Sequence, residues 1–213
     1  MKPDYTLYLV TDRRLMSTET LTEAVEQAIL GGCTMVQLRE KDISSLDFYM
    51  LGVQIKKITD KYKIPLIIND RIDIAMAIGA TGVHIGQSDI PASITRKIVG
   101  ADMLLGVSVA STNEAVQAMN DGADYLGVGA MFPTETKTDA AYVSIEELRR
   151  IRRAVNVPIV VIGGIGKENA GIFASMGIDG LAVVSAIIAQ SDITKAAATL
   201  KTLFCGKEIA NGL

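Results

Sequence analysis

The sequence predicts an α/β protein folded as a parallel (β/α)8 TIM barrel, and three observations predict it. Eight short apolar runs follow one another along the chain, segments of helical character separate them, and a Gly-x-(Thr/Asp) signature recurs where a helix hands over to a strand. Alternating strands and helices imply a parallel sheet, and eight copies close it into a barrel rather than leaving an open sheet.

The runs are residues 6–11 (TLYLVT), 35–40 (MVQLRE), 65–70 (PLIIND), 82–86 (GVHIG), 104–109 (LLGVSV), 125–131 (YLGVGAM), 158–164 (PIVVIGG) and 180–186 (GLAVVSA). Most are continuously apolar, as expected of strands covered on both faces. Between them, residues 18–32 carry a Thr cap and an apolar stripe at Leu21, Val25, Ala28 and Ile29, the pattern of an amphipathic helix. Residues 144–155 open with Ser144 and Glu147 at the spacing of a capping box. The recurring signature stands at Gly32-Cys-Thr34, Gly79-Ala-Thr81, Gly122-Ala-Asp124 and Gly177-Ile-Asp179. Its glycine suits the left-handed position that ends a helix, and its Thr or Asp suits the turn. No linker divides the chain, so one domain is expected over residues 1–213, with a frayed tail from about residue 206.

Composition narrows the class. Hydrophobic residues make up 49% and aromatics 5%, with no Trp, which suits close helix-on-sheet packing by Ala, Val, Ile and Leu. With a net charge of −3, no run of Lys or Arg suggests a nucleic-acid or membrane surface. No apolar stretch reaches the about 18 uncharged residues of a membrane span. Cys33 and Cys205 form no motif and no signal peptide is read, so the expected setting is the cytoplasm.

In such barrels chemistry sits at the C-terminal ends of the strands, and here those ends are polar. The second run closes on Gln37, Arg39 and Lys41, which alternation places on one side. An amide and cations within a strand would be costly to bury without a ligand. The third run ends on Asn69 and Asp70, and Asp89 follows the fourth. Each aspartate alone also reads as a cap or turn residue, but a pair at neighbouring strand ends suits Mg²⁺, which takes one or two carboxylates and completes its shell with water and phosphate. Ser108 ends the fifth run. The connection after the sixth run holds Thr134, Thr136 and Lys137, suited to phosphate or to a plain polar surface loop. The seventh run ends on Gly163 and Gly164 and the eighth on Val184 and Ser185, where barrels of this kind recurrently bind phosphate. His84, the one histidine, lies inside a strand and reads as packed rather than as a base, and no zinc-type spacing exists.

Taken in order, Tyr8-Leu-Val-Thr-Asp12, Gln37-Leu-Arg-Glu-Lys41, Asn69-Asp70, His84-Ile-Gly-Gln-Ser-Asp89, Gly106-Val-Ser108, Pro133-Thr-Glu-Thr-Lys137, Ile162-Gly-Gly-Ile165 and Val183-Val-Ser185 resemble the thiamine phosphate synthase family. The motifs span nearly the whole chain. The resemblance implies a transferase that joins hydroxymethylpyrimidine diphosphate to a thiazole phosphate or its carboxylated form, giving thiamine phosphate and pyrophosphate, with CO₂ from the carboxylated substrate. It further implies that Gln37 holds the pyrimidine, that Arg39, Lys41, Asn69, Ser108 and Lys137 hold the diphosphate side, and that Asp70 and Asp89 bind one Mg²⁺ per subunit. Thr134, Thr136, Gly164, Val184 and Ser185 would hold the thiazole phosphate, and the loop carrying Thr134 to Thr138 would serve as a lid. Arg39, Lys41, Ser108 and Lys137 are the residues expected to act on the reaction itself. The partners are then small molecules, with room left for a homo-oligomer.

One departure is visible. The family often has a His after the strand-5 Ser, where this chain has Val109-Ala-Ser111. Two other readings stand beside the synthase: a thiazole tautomerase-like paralogue, which resembles such proteins but uses a His in that loop, and a non-catalytic sensor of a phosphorylated ligand.

Overall fold

A computed structural model of the chain describes residues 3–133 and 142–206. Its strands are β1 (Leu7–Val10), β2 (Met35–Leu38), β3 (Leu66–Asn69), β4 (Gly82–Ile85), β5 (Leu104–Val109), β6 (Tyr125–Val128), β7 (Ile159–Ile162) and β8 (Gly180–Val183). They pair in sequence order, all parallel, and β8 returns to β1 with Leu7 opposite Leu181, so the sheet closes. The helices between them are α1 (Leu21–Leu30), α2 (Ser45–Tyr62), α3 (Ile72–Ile78), α4 (Ala92–Val99), α5 (Thr112–Asn120) and α6 (Ile145–Ala154), with α7 (Ser185–Ile188) and α8 (Ile193–Phe204) after β8. The β7–β8 crossover departs from the expected alternation, for it holds a 3-10 helix, Ala170–Ser175. The frayed-tail expectation concerns residues that, from 207 onward, lie outside the described ones.

Strand alternation sorts the apolar side chains into two layers. Tyr8, Val10, Met35, Ile67, Tyr125, Val160 and Ala182 pack together inside the barrel. Leu7, Leu9, Val36, Leu38, Ile68 and their counterparts point outward against the helices. Gln37, between outward Val36 and Leu38, therefore faces the interior, where it is buried. The polar strand ends thus lie on the side where the barrel opens.

The helix starts follow local chemistry. Thr20, Ser44, Ser111 and Ser144 each accept a hydrogen bond from the amide three residues on. The capping box expected at Ser144 is only half formed. Ser144 accepts from the Glu147 amide at 3.1 Å, but the Glu147 carboxylate accepts instead from the backbone amide and hydroxyl of Thr112, at 2.7 and 2.8 Å. A half-buried tie between α5 and α6 outcompetes the local reciprocal bond.

The repeated Gly-x-(Thr/Asp) signature has a second use that the turn alone does not reveal. Gly32, Gly79, Gly122 and Gly177 all take positive φ, as their position predicts. The side chain two residues on reaches across to an amide at the start of the preceding strand: Thr34 accepts from Leu7, Thr81 from Leu66, Asp124 from Leu105 and Asp179 from Ile159. Every even strand thereby ties off its odd neighbour at the closed end of the barrel. Asp124 also meets the Arg96 guanidinium at 2.5 Å, which in turn donates to the carbonyls of Gly100, Met103 and Gly122. Asp124→Ala is expected to destabilise the fold by about 1–3 kcal/mol, the cost of stranding a buried donor. Because this end lies away from the chemistry, kcat is expected to stay near wild type; urea denaturation and steady-state rates on one preparation check both parts.

Candidate active site

The strand ends enclose a cavity of about 1240 Å³ at the open end of the barrel. Gln37, Arg39, Lys41, Asn69, Asp70, Asp89, Ser108, Gly164, Val184 and Ser185 all line it. Residues far apart in sequence are thus brought to one hollow by eight strand ends. Thr134, Thr136, Lys137 and the expected lid lie outside the described residues. A smaller recess of about 370 Å³ opens beside the cavity, sharing Asp12, Arg14, Arg39 and Lys41 with it.

One wall is cationic. Arg39 is held by its own backbone, whose amide donates to the Thr11 hydroxyl at 3.0 Å, and its guanidinium lies 3.8 Å from Asp12. Asp12 is buried and takes two hydrogen bonds from the Arg14 side chain, at 3.1 and 2.8 Å. Those bonds, with the nearby Arg39 charge, hold its carboxyl below the usual aspartate range despite burial. Asp12 and Arg14 line the cavity, though the sequence assigned neither a role. The signal was present, since Thr11-Asp12-Arg13-Arg14 follows the first apolar run as the other polar groups follow theirs.

Beside this wall stand the carboxylates. Asp70 does not cap α3. The helix starts two residues later, its N-cap position is Arg71, and Asp70 sits in the left-handed region at φ 59. That turn directs its side chain to Lys41, whose ammonium is 2.5 Å away. Asp89 makes the turn read from its sequence context, accepting from the Gly86 amide at 2.7 Å. Burial first, and then the adjoining Asp70 carboxyl, push Asp89 up from the ordinary carboxylate range, while the Gly86 amide opposes them. Two acids crowd each other here, and a cation between them would relieve the crowding. Beside them Asn69 lines the cavity and is buried, with its side-chain Nδ2 unpartnered among the described residues.

The floor is a hydrogen-bonded chain absent from the sequence reading. Gln37 Nε2 donates to the Tyr8 hydroxyl at 2.9 Å, the Tyr8 and Tyr125 hydroxyls are 2.9 Å apart, and Tyr125 lies 3.0 Å from His84 Nδ1. His84 Nε2 then meets Ser108 Oγ at 2.9 Å. His84 is packed, as its place in a strand predicts, and it is also engaged through both ring nitrogens. Burial pushes the Tyr8 and Tyr125 hydroxyls well above their usual range, so both stay neutral.

The remaining wall comes from the last two strand ends. Gly163 and Gly164 take φ 96 and 64, and a Cβ on Gly164 would meet Phe132 Cβ and the Pro133 carbonyl at 2.7 Å. These glycines make tight turns against the β6 loop and also leave backbone exposed to the cavity. Val184 and Ser185 stand at the turn into α7.

Among the described residues no group of three or more His, Cys, Asp or Glu is placed to hold a metal. The Asp70–Asp89 pair offers what a Mg²⁺ ion asks of a protein when substrate phosphate and water supply the rest, and it does not offer a zinc-type set. Nor is any helix of the described residues long and apolar enough to cross a membrane.

A (β/α)8 barrel with cations, paired acids and glycine turns gathered at its open rim defines a class of enzyme that handles phosphorylated small molecules. The family model described as thiamine monophosphate synthase matches residues 7–187. A thiamine-phosphate synthase of Clostridium beijerinckii is 66% identical over 96% of this chain and 99% of its own length. Another, from Ruminiclostridium cellulolyticum, is 62% identical over 97% of this chain and 98% of its own. Among solved structures, a thiamine phosphate pyrophosphorylase from Pyrococcus furiosus superposes with TM-score 0.87 at 37% identity, covering 94% of this chain and 96% of that one. The chain belongs to the thiamine monophosphate synthase family. A 3-hexulose-6-phosphate synthase, TM-score 0.69 at 18% identity, shares the barrel architecture.

Proposed function

We propose that this chain joins hydroxymethylpyrimidine diphosphate to a thiazole phosphate, releasing pyrophosphate, as a transferase of thiamine diphosphate biosynthesis. The observation that carries the reading is the gathering of Arg39, Lys41, Asn69, Asp70, Asp89 and Ser108 on one cavity in a member of this family.

The chemistry follows from where charge develops. The methylene–oxygen bond breaks, its electron pair leaves with the diphosphate, and the pyrimidine spreads the positive charge left on carbon. The thiazole nitrogen then donates its lone pair to that carbon. Arg39 and Lys41, with Lys137 as the family resemblance implies, stabilise the charge growing on the leaving group. Asn69 offers its unpartnered amide to the same oxygens. Mg²⁺, held by Asp70 and Asp89, would supply Lewis-acid neutralisation of the diphosphate. Gln37 orients the pyrimidine, and Gly164, Val184 and Ser185, joined by Thr134 and Thr136, hold the thiazole phosphate. Two separate anchoring points align the reactants and supply the proximity that a bimolecular step lacks. No general base is required, which agrees with a lone histidine already engaged in the floor.

The tautomerase-like reading wants a histidine after Ser108, where Val109-Ala-Ser111 stands. The sensor reading predicts ligand-induced thermal stabilisation without turnover. Mixing both substrates with Mg²⁺ separates the three: pyrophosphate release that requires both substrates supports the synthase, and none with either combination refutes it. For the metal, Asp89→Asn is expected to raise the Mg²⁺ concentration needed for half-maximal rate by about tenfold or more, since it removes one of two ligand charges. A titration curve that superimposes on wild type would remove Asp89 from the metal site. A cytoplasmic setting belongs to the same reading, with Cys33 and Cys205 both free thiols.

A further inference from the structure

The floor of the cavity runs in one direction. Gln37 offers an NH₂ group to Tyr8, and an amide nitrogen can only donate. Among the described residues the Tyr8 hydroxyl has two hydrogen-bond partners, Gln37 and Tyr125, so with its oxygen taken by Gln37 its own hydrogen goes to Tyr125. Tyr125 must then give its hydrogen to His84 Nδ1, and His84 carries its proton on Nε2 and donates to Ser108 Oγ. At the far end the Ser108 hydrogen is left to point into the cavity, and at the near end Gln37 has turned its carbonyl toward the same space. Reversing any one link reverses all of them: Gln37 would then show its NH₂ to the cavity and Ser108 would give its hydrogen to the imidazole.

The geometry points to a positioning relay in which Tyr8, Tyr125 and His84 couple the two polar ends of the site, presenting Gln37 as an acceptor and Ser108 as a donor. This rests on the proposed reaction only for its purpose: an acceptor suits an exocyclic amine on the pyrimidine, and a donor suits a phosphate oxygen. The packing around the relay leaves little freedom to rearrange. A Cβ on Gly106 would come within 2.5 Å of His84 Nδ1 and closer still to the Tyr125 ring and hydroxyl, so the absence of a side chain there is what lets the two meet. Gly127, whose Cβ would lie 3.1 Å from His84 Cε1, clears the other side of the imidazole. The relay is buried at Tyr8 and Tyr125 and nearly so at His84, and a buried polar chain is stable only when every link finds its partner.

His84 is the single histidine of the chain, so untagged protein labelled with ¹⁵N-histidine gives one imidazole to observe. The expected spectrum at neutral pH, with no substrate present, is the neutral Nε2–H tautomer. An Nδ1–H tautomer, or a doubly protonated ring, would overturn the relay direction whatever the enzyme catalyses. Tyr125→Phe keeps the ring and removes the middle link. It is expected to lose the single tautomer and to lower kcat/KM by roughly 10-fold, the worth of one buried hydrogen bond, with the circular dichroism spectrum unchanged. An unaltered tautomer together with wild-type kcat/KM would refute the coupling. If Tyr125→Phe fails to fold, Tyr8→Phe is read the same way, since it cuts the chain one link nearer Gln37. A correct tautomer in a protein that never releases pyrophosphate would instead count against the reaction and leave the relay standing.

Discussion

Arg39→Ala is expected to lower kcat by about 10²–10³, the loss seen when one preorganised donor to a developing anion is removed. The side chain stands in the cationic wall, mostly screened from solvent, with its backbone pinned to Thr11 and its guanidinium near Asp12. Among the described residues, every other cation on that wall is already paired. Lys41 is already paired with Asp70, and Arg14 is committed to Asp12 by two hydrogen bonds. The substitution would also leave Asp12 with one cation fewer beside a buried carboxylate. Arg39→Lys is expected to recover only part of the rate, because an ammonium cannot reproduce the planar fork that meets a diphosphate. Steady-state rates at saturating concentrations of both substrates check this; a wild-type kcat in Arg39→Ala would exclude it from stabilising the leaving group.

Gly106→Ala carries the largest expected effect on the fold. A methyl at this position would fall 2.1 Å from Tyr125 Cζ, 2.3 Å from its hydroxyl and 2.5 Å from His84 Nδ1. The ring it strikes is fully buried at the centre of the barrel, against Tyr5 and Tyr8, so neither partner can swing aside into solvent. The expected cost is about 3 kcal/mol, the upper part of the usual range for overpacking, and a Tm lower by roughly 6–12 °C for a domain of this size. Because the same collision separates Tyr125 from His84, activity is expected to fall by more than the loss of folded protein explains. Thermal unfolding and kcat measured well below Tm test the two effects apart, and a wild-type Tm would contradict the packing described.

The fold was legible because its signal is periodic and repeated. All eight strands fall within the apolar runs, and the four Gly-x-(Thr/Asp) signatures mark helix ends whose glycines do take positive φ. The runs overstate the ladders. Thr11, Glu40 and Asp70 lie beyond the last strand residues, although the Thr11 and Asp70 amides still donate across to the Gln37 and His84 carbonyls. The helix expected between β7 and β8 tightens to 3-10 form, and ahead of it the Asn169 side chain accepts from the Gly166 amide and donates back to the Gly164 carbonyl. The placement of the site was legible because the polar residues sit where strands end, a rule of topology and not of contact. What sequence did not disclose were pairings across the barrel. Glu147 chose Thr112 over its own helix cap, Asp12 and Arg14 completed the cationic wall, and Tyr8, Tyr125 and His84 met through register that no local pattern records.

In the proposed reaction, cations and paired carboxylates from separate strand ends jointly hold the departing diphosphate. The most direct measurement is a crystal structure with Mg²⁺ and pyrophosphate bound. The metal is expected between Asp70 and Asp89, with pyrophosphate oxygens reached by Arg39, Lys41 and Asn69 above the Gln37–Ser108 floor. Pyrophosphate seated away from that cavity, or a metal bound with neither aspartate, would contradict it.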